Sequence, residues 1–68
     1  MTIANLQIYP IQVLLLSIIR FINLGVAFFR MGKYQEAGRY FSRALSISPE
    51  SDIARKNLGV VQSIIGRF

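Results

Sequence analysis

From Ile11 to Met31 the chain is almost continuously apolar, interrupted only by Gln12, Ser17, Arg20, Asn23 and Arg30. On a helical wheel Gln12, Asn23 and Arg30 fall in one narrow stripe with Arg20 to its side. More than half of the circumference is therefore apolar, far more than the single stripe of an ordinary surface helix. Pro10 is well placed to open this helix and Gly32 to end it. Over 34–47 the pattern changes. Tyr34, Ala37, Tyr40, Phe41, Ala44 and Leu45 follow three/four spacing, and Gln35, Glu36, Arg39, Ser42 and Arg43 take the opposite face, which predicts an amphipathic helix. Ser48-Pro49-Glu50 predicts the next start: Ser48 as a side-chain cap, Pro49 in the first turn, Glu50 and Asp52 at the positive end of the dipole. Gly66 repeats the stop at Gly32. The expected architecture is all-α, with an N-terminal arm over 1–9 and one unit over 10–68. That unit holds three helices, at 10–31, 34–47 and 50–65, the first of them long and apolar.

The chain also repeats itself. Asn23-Leu24-Gly25-Val26 returns 34 positions later as Asn57-Leu58-Gly59-Val60, and Gly32-Lys33-Tyr34 returns at the same offset as Gly66-Arg67-Phe68. A fixed period of this size marks a helical repeat array, whose units stack to bury a shared core. Within residues 21–50 the positions Leu24, Gly25, Phe28, Ala37, Phe41, Ala44 and Pro49 stand in the order and register of one known repeat, with Phe21 at its large apolar position. On these residues the segment 18–51 resembles a full tetratricopeptide repeat, and 52–68 resembles the first helix of a second. The second copy departs from the pattern, with Arg55 at the large apolar position and Gln62 at the aromatic one. The chain thus reads as a fragment of a helix–turn–helix solenoid. Gly25, Ala37 and Ala44 suit close helix crossing, with Phe28, Tyr40 and Phe41 filling the space beside them.

The resemblance implies binding rather than catalysis. Such units line a concave groove with their first helices and hold a peptide there. Carried onto this sequence, the groove comprises Ile19, Ile22, Val26, Phe29 and Arg30, then Ile53, Lys56, Asn57, Val60 and Ile64. Some family members clamp a carboxylate with Lys and Asn, but Ile22 and Val26 occupy the positions where that clamp needs them. The expected ligand is an apolar helix or segment laid into the groove. Asn23 and Asn57 are expected to take structural hydrogen bonds.

The first helix starts earlier than a repeat at 18 requires. Val13, Leu14, Leu15, Leu16, Ile18 and Ile19 have no obvious cover, and Val13, Leu14, Leu15, Leu16 and Ile18 mark a membrane or oligomer contact. One reading packs them on the chain itself, a second copy or a partner. Another places them at a membrane or against a membrane complex, as in accessory or assembly subunits of respiratory or photosynthetic type, an analogy of fold alone. A span needs ~20 mostly apolar residues. Against full insertion, Arg20 lies mid-segment at a cost of ~2.5–3.5 kcal/mol, and Leu24, Gly25 and Phe28 are already claimed by the repeat. A secretory signal is disfavoured, because no Lys or Arg precedes the segment and no small-residue cleavage site follows it.

Size, charge and chemistry narrow the picture further. With 68 residues and no cysteine, the chain sits near the lower limit for a self-sufficient core. Repeat units are stable from about three copies, so the first helix, a partner or further repeats must supply cover. The net charge of +5 favours acidic partners, and Arg39, Arg43, Arg55 and Lys56 are its main carriers on the second and third helices. Glu36 is placed to pair with Arg39 or nearby basic groups at helical spacing. No dense basic run or recognition motif points to nucleic acid. The absence of His and Cys removes the usual metal, acid–base and thiol systems. No catalytic residue, metal, cofactor or small-molecule substrate is expected, and an intracellular location is favoured, with membrane association as the alternative.

Overall fold

The protein is described by a computed structural model covering residues 11–67. The expected N-terminal arm, Pro10 and Phe68 lie outside the described residues. Three helices follow one another: α1 (Ile11–Arg30), α2 (Tyr34–Ile47) and α3 (Asp52–Ile65). α2 packs along both of the others, while α1 and α3 meet only briefly. Two helices of like sequence thus lie on one side, with α2 wedged behind them.

The α1–α2 turn is made by Gly32, whose φ of +78° places it in the left-handed region that glycine enters without steric cost. The reversal aims the amide of Gly32 at the carbonyl of Phe29 and that of Lys33 at the carbonyl of Phe28, both at 2.9 Å, so the last carbonyls of α1 are satisfied. The second turn differs from the sequence expectation. Ser48 closes α2, its amide donating to the carbonyl of Ala44, and its hydroxyl donates to Glu50 Oε2 at 3.0 Å. Pro49 and Glu50 form the turn itself. The cap of α3 is Ser51, in extended backbone, whose Oγ accepts from the Ala54 amide at 3.3 Å. The third helix therefore begins at Asp52, two residues later than 50, and Asp52 in its first turn pairs with Arg55. Gly66 ends α3 with ordinary right-handed backbone, φ −66°, so it does not repeat the Gly32 device.

Among the described residues, the fully buried apolar ones are Ala37, Phe41, Ala44, Ala54 and Val61. Small residues let the helices approach, and Phe41 fills the space between them. Its ring lies against Gly25, where a β-carbon would stand 2.7 Å from Cδ1 and 2.8 Å from Cζ. On the other side of α2, Gly38 brings Val61 close, with 3.4 Å from its ideal β-carbon position to Cγ1. Along the α1–α2 seam Tyr40 stacks on Phe28 (centroids 5.4 Å apart) and tilts against Phe21, while Phe29 meets Tyr34 edge-on at 5.2 Å. Offset and edge-on rings of this kind each contribute about 0.5–1.5 kcal/mol beyond area burial. The N-terminal half of α1 has no such partner. Val13, Leu14, Leu15, Leu16 and Ile19 are 44–58% exposed, whereas Ile18 is half-buried.

Candidate functional site

α1 and α3 run side by side with only slight contact, and α2 closes the gap from behind. The result is a cleft of about 230 Å³ lined by Val26 and Phe29 of α1, Asn57 and Val60 of α3, and the Phe41 ring of α2. Four of these five residues were expected in the groove. Phe41 was assigned to the core alone, yet it has both roles, because a ring that fills the wedge between two helices also floors the cleft they form. The signal was present in its position opposite Gly25: the missing side chain lets the ring reach through toward the groove.

The remaining predicted groove residues do not line this cleft. Ile22 faces inward and packs against the Ala37–Phe41–Val61 cluster. Ile19 and Ile53 are exposed, 52% and 62%, and Arg30 is exposed in the last turn of α1. Lys56 and Ile64 line a neighbouring open depression with Gly59, Val60, Ser63 and Arg67, so Val60 is the ridge shared by both. The asparagines do not take the structural hydrogen bonds expected of them. Asn23 is exposed, and Asn57 is half-buried and lines the cleft; neither side chain is bonded among the described residues. Asn57 is the one polar residue among the five that line the cleft.

The charges are arranged differently from the sequence reading. Glu36 is half-buried and forms no ion pair among the described residues, so it does not pair with Arg39. The pair that forms, Arg55 with Asp52, is exposed and contributes little to stability. Arg43 lies over the Tyr40 ring, 5.3 Å from its centroid, as an exposed cation–π contact worth about 0.5–1 kcal/mol. Arg39 and Arg43 border a shallow hollow on the α2–α3 side, away from the cleft. No group of His, Cys, Asp and Glu that could hold a metal occurs among the described residues.

The family model of the tetratricopeptide repeat matches residues 20–51, which span the core-facing half of α1, all of α2 and the turn after it. No curated protein and no solved structure matches the chain.

Proposed function

Because residues 20–51 form a tetratricopeptide repeat, a unit that generally mediates protein–protein interaction and is not catalytic, we propose that this chain is a small interaction module or scaffold. Its cleft between α1 and α3 takes an apolar side chain from a partner helix or segment. The observation that carries this reading is the cleft's composition: Val26, Phe29 and Val60 over the Phe41 ring, with Asn57 the one polar residue in the lining. Burying one Leu or Phe side chain there is worth about 1.5–3 kcal/mol, so affinity depends on further contacts outside the cleft.

The test is binding of helical peptides selected by display against the folded chain. Peptides with a single large apolar anchor are expected, and Asn57→Arg, which fills the cleft with a long charged side chain, weakens their binding tenfold or more. Selection of charged tails, or peptides indifferent to Asn57→Arg, refutes the reading.

A second reading is favoured by one observation: α1 from Gln12 to Arg30 is long and apolar enough to cross a membrane, and its N-terminal half is exposed. An accessory or assembly subunit would use Val13–Leu16 and Ile19 against a membrane complex, or a second copy of itself, and hold the repeat outside. The same helix does not span while the repeat is intact, because Ile22, Gly25, Val26, Phe28 and Phe29 already face α2. Membrane flotation of the chain, lost in Leu15→Asp with helicity retained, supports this second reading; flotation unaffected by that change opposes it.

A further inference from the structure

The aromatic side chains of α1 and α2 are arranged in ring pairs, with one exception. Phe21 and Phe28 meet Tyr40, and Phe29 meets Tyr34. Phe41 has no ring partner among the described residues. Its Cδ1 and Cζ atoms face Gly25, and it clusters with Ala37 and Val61. The ring is 1% exposed, yet it lines the α1–α3 cleft. What it presents there is therefore a small part of an unpaired ring, at the bottom of a cleft whose wall already includes the Phe29 ring.

The size of the cleft points the same way. A dry apolar cavity of about 150 Å³ is enough to bind benzene. This cleft measures about 230 Å³ between Val26 of α1 and Val60 of α3, so a six-membered ring enters it with room to settle. A leucine side chain leaves more of that space empty, and atoms that line a void lose their contacts. A ring also gains from its neighbours. Ring pairs prefer offset or edge-on contact and attract beyond the area that they bury. Phe29 is already edge-on to Tyr34, so Phe41 is the ring with most to gain from a partner.

We infer that the cleft selects an aromatic side chain over an aliphatic one, and that Phe41 is the residue that makes this selection. The inference rests on the cleft being the binding site, as proposed above. It adds the class of side chain that the partner inserts, and it gives a buried core residue a part in specificity. An incoming ring completes the set of ring pairs in the α1–α2 layer, with Phe41 as its partner and Val26 and Val60 on either side.

The probes are the N-acetyl amides of phenylalanine and of leucine, titrated at millimolar concentration into the whole, isotopically labelled chain. Binding is read from the NMR shifts of the Val26 and Val60 methyl groups. The parent chain is expected to bind the phenylalanine amide about threefold or more tightly than the leucine amide. Phe41→Leu is expected to lose that preference while its affinity for the leucine amide changes little. Phe41→Met is the second variant, because methionine fills irregular core space without a ring; circular dichroism shows which variants keep the fold. A merely structural Phe41 would weaken both amides alike, so the ratio of the two affinities is the decisive readout. Asn57→Arg is expected to abolish the shifts for both. Equal binding of the two amides by the parent, or an unchanged ratio in a folded Phe41 variant, overturns the inference and leaves the cleft reading standing. Shifts that persist in Asn57→Arg, or none with either amide, overturn the inference at its premise.

Discussion

Alanine at Gly25 and alanine at Gly59 are the same substitution at equivalent points of the repeat, and the structure gives them opposite signs. At Gly25 the added methyl falls 2.7–2.8 Å from two atoms of the Phe41 ring, which is 1% exposed and enclosed by the core. Overpacking of this kind costs about 1–3 kcal/mol, offset by the roughly 0.8–1.0 kcal/mol by which Ala exceeds Gly in a helix interior. The expected net is a loss of about 1 kcal/mol. In a domain of this size that lowers the Tm by about 4–8 °C. At Gly59 the methyl meets open space, so only the propensity term remains and the chain gains about 0.5–1 kcal/mol. Thermal melts and urea titrations followed by circular dichroism measure both. A second substitution, Phe41→Leu, provides the internal control: it opens space beside residue 25, so Gly25→Ala costs less in that background, and the cycle gives a coupling energy. Changes of the same sign at the two glycines, or a zero coupling with Phe41, would refute the packing described here.

Further expectations concern the turns and the exposed helix. Ser51→Ala removes the cap of α3 and costs about 1 kcal/mol, whereas Ser48→Ala changes stability far less; urea denaturation of both variants distinguishes the caps. Gly32→Ala is strained at φ +78° by roughly 1–2 kcal/mol, while Gly66→Ala, in right-handed backbone, is tolerated, as thermal melts will show. Leu15→Asp together with Ile19→Asp leaves the helical signal and the Tm of the repeat intact, because both side chains are about half exposed (51% and 52%) and stand outside the core. Mass by size exclusion with light scattering in detergent-free buffer then reports whether this stripe had been holding an oligomer together. Loss of all helicity in that variant would mean the stripe is core.

The three helices and the Gly25–Phe41 crossing were legible because periodicity and the spacing of small residues report on which faces meet. The second turn was misread for a local reason. Ser48 and Ser51 are both competent caps, and Pro49 suits a helix start as well as a turn. The choice was made by the Ser48–Glu50 bond and the closing of α2 on Ser48, neither visible in a pattern of residue types. Gly59 repeats Gly25 in sequence yet meets nothing within 4 Å, since repetition in sequence does not guarantee repetition of the neighbour. In the cleft, Val26, Phe29, Asn57 and Val60 were found by transferring the repeat's register. Ile22 turned inward because α2 lies against it, and Phe41 was missed because a buried residue and a cleft floor look alike in sequence.

Where a partner sits decides whether the cleft is the binding site. Titrating the isotopically labelled chain with a display-selected apolar helix, and following backbone amide shifts by NMR, tests it in one measurement. The expected perturbations cluster at Val26, Phe29, Asn57 and Val60 and vanish in Asn57→Arg. Perturbations confined to Val13–Ile19, or to the Arg39, Arg43 and Gln62 side of the molecule, would contradict it.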